Sequence, residues 1–132
     1  MAISLPVYIN CDRQDAGDPG GSGADKPDTP LGLKAGGSNV TAGLLIGVRA
    51  TCAADAGTVT VKVYSDVSKT DEIFNVGLDL SASPFKSSNI LATPIPFFET
   101  PFFQVNNSTD PNNSIYLTFY VRAIATDYVV KS

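Results

Sequence analysis

Apolar and polar residues alternate with a period of two through much of the chain, and this pattern constrains the fold more than any other feature. The alternation is present over 40–52, 57–66, 73–80 and 114–124. Successive side chains of a β-strand point to opposite faces of the sheet, so each run predicts a strand with one buried face. No apolar pattern with a helical period continues for ten residues. The sequence therefore predicts an all-β fold, an antiparallel β-sandwich or jelly-roll-like arrangement of about six to eight strands.

The same alternation predicts which residues face the core. The members of each set share one side of their strand: Leu44, Ile46, Val48, Ala50 and Cys52; Val59, Val61 and Val63; Phe74, Val76, Leu78 and Leu80; and Ile115, Leu117, Phe119, Val121 and Ala123.

At 132 residues the chain is expected to form one domain, 1–132, with three zones. Residues 1–9 are apolar but contain Pro6, which predicts an edge strand or an extended arm. Residues 10–38 hold seven of the eleven Gly and predict a long, structureless polar loop. The remaining residues, 39–132, form the sandwich body. The arm has two alternatives: it pairs within its own chain, or it adds a strand to a neighbouring subunit.

Three local predictions concern the second half of the chain. Residues 84–92 are expected to form one helical turn or a crossover loop. The segments 97–105 and 114–124 are expected to pair as a hairpin, because the residues between them have the composition of a loop tip. A last strand is expected at 125–130.

The composition argues against enzymatic chemistry. The chain contains no His, so Ser-His-Asp and Cys-His mechanisms and His-bearing zinc sites are excluded. Glu72 and Glu99 are the two Glu of the chain, and nothing in the sequence brings them together as a hydrolytic pair. The five Asp within 10–38 lack the spacing and the Glu of an EF-hand, which favours a solvated loop over a calcium site. We therefore predict a protein that is not an enzyme and takes no cofactor and no metal.

Charge and hydropathy bear on partners and location. The net charge of −4 and the scattered Lys and Arg argue against binding to nucleic acid. No apolar run is long enough to span a membrane, and the N-terminal residues lack the basic region of a signal peptide. The expectation is synthesis in the cytoplasm, with Cys11 and Cys52 as reduced thiols.

The apolar residues exceed what one sheet face can bury, which predicts a contact with another subunit. The four Phe of 97–103 cannot all point to one face, and the strand at 114–124 carries Tyr opposite its apolar side. The alternatives are a neighbouring loop that covers the Phe and a half-exposed surface for the Tyr. The interface candidates are Ile3, Leu5, Val7, Ile9, Phe97, Phe98, Phe102, Phe103, Tyr116 and Tyr120.

The segments Phe102-Phe103-Gln104-Val105-Asn106-Asn107 and Ser114-Ile115-Tyr116-Leu117-Thr118-Phe119-Tyr120-Val121-Arg122-Ala123, together with the small all-β character, resemble the end of small virion proteins of tailed bacteriophages. Among these are capsid decoration (cement) proteins, many of which are β-sandwiches that trimerise on the phage head. The resemblance implies a structural protein located in the virion. Its partners would be copies of itself, as a homotrimer, and a major capsid protein.

The expected function is therefore a capsid decoration or minor capsid protein that stabilises the phage head through contacts between subunits. The alternative is a β-sandwich binding module that recognises a carbohydrate or a host receptor on a phage tail or cell surface. Its best feature is the Tyr-bearing face of 114–124 beside the Asn-rich segment 106–113.

Overall fold

The computed structural model describes residues 9–10, 14–15, 25–35, 38–109 and 113–126, and all secondary structure in these ranges is β-strand. The strands are β1 (Ile9–Asn10), β2 (Gln14–Asp15), β3 (Lys26–Gly32), β4 (Lys34–Ala35), β5 (Ser38–Thr51), β6 (Gly57–Tyr64), β7 (Glu72–Leu80), β8 (Lys86–Phe97), β9 (Phe102–Asn107) and β10 (Tyr116–Thr126). The all-β prediction is confirmed. In the described part of the chain, no helix has the length and apolar character needed to cross a membrane.

The strands form two antiparallel sheets. In the first sheet β5 is central, with β10 on one side and β8 and β4 on the other, while β1 and β2 pair with the far side of β10. The second sheet has the order β3-β9-β6-β7. Edges of the two sheets lie near each other where β7 neighbours β8.

One apolar core fills the space between the sheets. The inward residues of β6, Val59, Val61 and Val63, are fully buried, as the alternation predicts. On the facing sheets the rings of Phe103 and Phe119 lie 5.5 Å apart between centroids and are tilted by 52°. Such an aromatic pair contributes about 0.5–1.5 kcal/mol beyond the burial of its area. The two sheets are therefore packed directly against each other in a sandwich.

The alternation in β5 is interrupted by a bulge. Tyr120 of β10 pairs with Gly47, but the next residue, Val121, pairs with Leu45, so Ile46 is an extra residue. The bulge reverses the faces. Leu45 is buried, whereas Leu44 and Ile46, which were predicted to face the core, are half-buried. The prediction holds for Val48, Ala50 and Cys52, which follow the bulge.

The polar zone 10–38 is not structureless, and this prediction was wrong for most of the residues that the structure describes there, including Asn10 and Gln14–Asp15. Lys26–Gly32 and Lys34–Ala35 are strands β3 and β4, and Leu33 between them is fully buried in the core. Between the pairs Lys26↔Val105 and Leu31↔Phe103, residues 27–30 of β3 lie opposite Gln104 alone. This irregularity accommodates two Pro in an edge strand and removes the alternation that would have marked the strand.

Residues 84–92 form neither a helical turn nor a crossover loop, because 86–97 is the long strand β8. The strand lies at the edge of the first sheet, where its side chains are mostly exposed or half-buried. Because β8 buries little, its sequence does not need alternating apolar residues.

The hairpin predicted from 97–105 and 114–124 is also wrong. β8 ends at Phe97, and β9 pairs with β3 and β6 in the second sheet, while β10 belongs to the first sheet. The connection between β9 and β10 thus crosses the sandwich, and the two strands meet through their side chains in the core. Two strands bury the same alternating face whether they pair as a hairpin or lie in facing sheets, so the pattern did not distinguish these arrangements. The predicted last strand begins at 125, but β10 continues through Thr126, and residues 127–130 lie outside the described residues.

Gly57 begins β6 and lies beside Ser108, which follows β9, so a substitution at Gly57 tests this contact. Its φ of +65° is a left-handed conformation, and an added Cβ would collide with the hydroxyl of Ser108, which accepts a hydrogen bond from the backbone N–H of Thr58 at 2.8 Å. We expect Gly57→Ala to lower the free energy of unfolding by about 2–3 kcal/mol. Urea denaturation measures the change.

Gly77→Ala is the matched control for Gly57→Ala. At Gly77 an added Cβ would meet Thr58 Cγ2 at 3.4 Å, and φ is not in the left-handed region. Ala is favoured over Gly by about 0.5–1 kcal/mol within strands, so this variant is expected to be neutral or slightly stabilised. Equal destabilisation of the two variants would contradict the role assigned to Gly57.

Candidate interaction surface at the edge of β8

The interface candidates of the aromatic run separate into core and surface residues. Phe97 and Phe103 are 5% and 0% exposed and belong to the core, so an interface role does not fit them. Phe102 is half-buried on the outer face of the second sheet. Phe98 follows the last residue of β8 and is 83% exposed. The prediction that the four Phe do not all point to one face is confirmed, since one of each adjacent pair lies in the core and the other does not.

Tyr116 and Tyr120 lie on the outer face of the first sheet and are half-buried within the single chain. Tyr120 is flanked by Asn10 of β1 and Gly47 of β5. Tyr116 is flanked by Asp15 of β2 and Thr51 of β5. Of the two alternatives predicted for these residues, the half-exposed surface describes them in the isolated chain.

The N-terminal candidates lie mostly beyond the described part of the chain. Ile3, Leu5 and Val7 are outside the described residues. Ile9 pairs with Val121, and Asn10 pairs with Tyr120, both within the same chain. The predicted arm therefore pairs in cis at its final residue, Ile9.

A cleft opens beside Phe98, where the edges of the two sheets meet. Its volume is about 230 Å³. We call it the Phe98 cleft, and its lining residues are Ser65, Asp71, Ile73, Pro96, Phe97, Phe98 and Glu99. An exposed aromatic ring, two carboxylates and a hydroxyl thus share one concave surface. Sequence analysis missed Ser65, Asp71 and Ile73, because the contact with Phe98 depends on how the two sheets pack.

The wall of this cleft formed by residues 65–71 is held by two Asp. The hydroxyl of Ser65 donates a hydrogen bond to Asp71 Oδ2 at 2.7 Å, and the backbone N–H of Ser65 donates to the Asp71 carbonyl at 2.9 Å. The carboxylate of Asp66 accepts from the hydroxyl of Thr70 at 2.5 Å and from the backbone N–H groups of Thr70 and Asp71. These bonds, first of all that from the Thr70 hydroxyl, lower the pKa of Asp66 below its ordinary value.

The long strand β8 presents a free backbone edge. Among the described strands, β8 pairs only with β5. The N–H of Cys52 donates to the carbonyl of Phe85 at 3.0 Å, which makes 52 and 85 a hydrogen-bonded pair in the register of the two strands. Antiparallel ladders alternate, so Ser87 and Asn89 also bond to β5. The N–H and C=O groups of Lys86, Ser88 and Ile90 therefore point away from the sheet.

Strand β8 carries no charge over most of its length. Ile90 is 60% exposed, and no charged residue occurs from 87 to 98. The uncharged run is visible in the sequence and could have marked the surface, but without alternation it did not indicate a strand. We call residues 86–90, with their outward backbone groups, the β8 edge.

Gln104 holds the irregular part of β3 against its neighbouring strand β9. Its side chain is almost completely buried, and its Nε2 donates a hydrogen bond to the carbonyl of Pro27 at 3.1 Å. The amide oxygen Oε1 is buried without a hydrogen-bond partner. Sequence analysis did not identify this residue, because a Gln on an outer face is expected to be solvated.

Chemistry beyond these surfaces is limited in the described residues. They contain no group of three or more Cys, Asp or Glu arranged to hold a metal ion. Cys52 is a buried free thiol. No protein-family model matches the chain, and no curated protein matches it either. The surfaces are therefore interpreted from their geometry.

The carboxylate of Asp66 predicts how stability depends on pH. Because its pKa is lowered in the folded state, its contribution is present above the unfolded pKa and is lost as the pH falls through the folded pKa. We expect the free energy of unfolding of Asp66→Asn to fall less steeply with acidification than that of the wild type. Urea denaturation between about pH 6 and about pH 3 measures both slopes.

A carboxyl NMR titration of the wild type is the direct check on Asp66. Its midpoint should lie below that of Asp in an unfolded peptide. Parallel pH profiles for the two proteins, together with an ordinary midpoint, would contradict the assignment.

Proposed function

We propose that the protein is a structural subunit that assembles through protein–protein contacts, and that it serves in a virion as a capsid decoration (cement) or minor capsid protein. In this role it stabilises a phage head by contacts among its own copies, as a homotrimer, and with a major capsid protein.

The observation that carries the proposal is the exposed ring of Phe98 at the end of the uncharged strand β8. Phe98 is 83% exposed, and Ile90 on the same strand is 60% exposed. Burying a Phe side chain contributes about 1.5–3 kcal/mol. The isolated chain lacks this stabilisation at Phe98, because the ring is exposed to water. Aromatic side chains that insert into a pocket of the partner supply much of the binding energy at protein interfaces.

The low charge of the chain supports the same proposal. Charged residues make up 17% of the sequence, against about 25% in an average soluble domain. The centre of protein interfaces is depleted in charged residues and enriched in aromatic ones. The segment 87–98 has both properties, with Phe97 in the core and Phe98 in solvent.

The virion assignment draws on the resemblance to small virion proteins, and the fold weakens this resemblance in one respect. The two segments quoted for it are not hairpin partners, since β9 and β10 lie in different sheets. The small antiparallel sandwich and the low charge remain as support.

Particles purified from a culture that expresses the gene provide the test. We expect the protein in the virion band of a density gradient, and we expect Phe98→Asp to be reduced at least about tenfold there, because a carboxylate replaces the apolar anchor. Quantitative mass spectrometry of the band measures both.

Leu31→Asp is the matched control for Phe98→Asp. Leu31 is also an exposed apolar residue, at 46%, but it lies on β3 at the opposite edge of the second sheet. This variant should be incorporated as well as the wild type. Absence of the wild-type protein from the particles, with all of it in the soluble fraction, would overturn the virion proposal.

A binding module is the second candidate, and the Phe98 cleft is the observation that favours it. The ring of Phe98 could stack on a sugar face, while Asp71 and Glu99 would accept hydrogen bonds from its hydroxyl groups. We expect binding on a glycan array to be weak and to be lost in Phe98→Ala. The Tyr116→Ala/Tyr120→Ala variant tests the face that the sequence suggested. An array without hits would remove this candidate.

A further inference from the structure

The β8 edge has the hydrogen-bonding chemistry of an incomplete sheet. Lys86, Ser88 and Ile90 direct their backbone N–H and C=O groups outward, as the register with β5 requires. A row of such groups is a template for another extended strand. Beyond Ile90 the regular edge ends, because β8 shifts register against β5 between Ile90 and Ile95.

The two halves of β8 differ in how they are protected against such pairing. The second half carries Pro94 and Pro96 and the register irregularity, all of which obstruct the addition of a strand. The first half, 86–90, has neither Pro nor an irregularity, and its one charged residue, Lys86, lies at the end. The unprotected part of the strand is thus a defined segment of five residues.

We propose that the β8 edge pairs with β8 of a second copy of the chain, antiparallel and centred on Ser88. The inference rests on the part of the proposed function in which the chain assembles with its own copies, and it gives that contact two-fold symmetry, so the expected unit is a dimer in place of the homotrimer. Pairing 86–90 with itself places Ser88 opposite Ser88 and Lys86 opposite Ile90. All three outward residues of each copy are then hydrogen-bonded pairs, and the first sheets of both copies become one continuous sheet.

The uncharged centre of the segment is compatible with pairing to a second copy. In this register the two Lys86 side chains lie at opposite ends of the paired segment, about 13–14 Å apart along the strands. No like charges face each other, because 87–90 is uncharged in both copies. Ile90 adds apolar contact on the outer face, where it covers Gly47, whose added Cβ would lie 2.8 Å from Ile90 Cδ1.

Ser88→Pro tests the inference with little change to the folded chain. Proline removes the N–H of residue 88, which points outward, and leaves the bonds of Ser87 and Asn89 to β5 intact. Sedimentation equilibrium of the purified chain should show a wild-type dimer, and Ser88→Pro should raise its dissociation constant at least about tenfold. Ser88→Ala keeps the backbone donor and should dimerise like the wild type.

Cross-linking checks the register. Residues in a hydrogen-bonded pair have Cα atoms about 5.5 Å apart, which a disulfide can span. Under mild oxidation Ser88→Cys should form a covalent dimer beyond any background from Cys11 and Cys52 in the wild type. Ser68→Cys, at an exposed position between β6 and β7, should not.

The outcomes separate this inference from the proposed function. If the wild type oligomerises but Ser88→Pro does so equally well, or if the oligomer is a trimer without Ser88 cross-links, the β8 pairing is overturned and assembly through another surface stands. If the β8 dimer forms but the protein is absent from purified particles, the virion proposal fails and the pairing stands. A wild type that is monomeric at every concentration overturns the pairing. Folding of each variant is checked by its circular dichroism spectrum.

Discussion

The packing of two sheets across one apolar layer is the constraint on which the rest of this structure depends. Phe103 of the second sheet and Phe119 of the first meet in that layer, surrounded by the inward Val of β6. Every described strand that contributes to the core must therefore keep one face apolar. The residues outside this layer are free to serve contacts with other molecules, and β8 is the strand with the most such residues.

The sequence predicts the sandwich because burial of one strand face leaves a periodic signal. Val59 and Phe119 follow it and lie where the alternation indicates. The prediction fails where burial is not periodic. The bulge at Ile46 reverses the faces of β5, and the irregular segment with Pro27 and Pro30 removes the alternation that would have indicated β3. Pairing partners are a further limit. A face does not specify which strand lies beside it, so β9 and β10 were assigned to a hairpin that the structure separates.

The candidate surface was predictable in part. Phe98 was identified because the four Phe of 97–103 cannot all point to one face, and Phe98 is the one most exposed to solvent. The edge groups of Lys86, Ser88 and Ile90 belong to the backbone, which carries no residue-specific signal, so they follow only from the register with β5. The carboxylate of Asp71 reaches the cleft through a contact between distant segments, which local patterns do not encode.

The position of β10 sets the order of events during synthesis. It follows the other nine described strands along the chain, yet it pairs with β1 and β5 and supplies Phe119 to the core. A ribosome-bound chain that lacks β10 cannot complete the first sheet. At a synthesis rate of about 5–20 residues per second, this incomplete state lasts several seconds. Throughout this interval the edge of β5 that pairs with β10 has no partner strand, and the core lacks Phe119. Nascent chains on the same mRNA would therefore come into contact before their folding is complete. Premature association is a hazard for a protein whose mature form carries an unprotected strand edge.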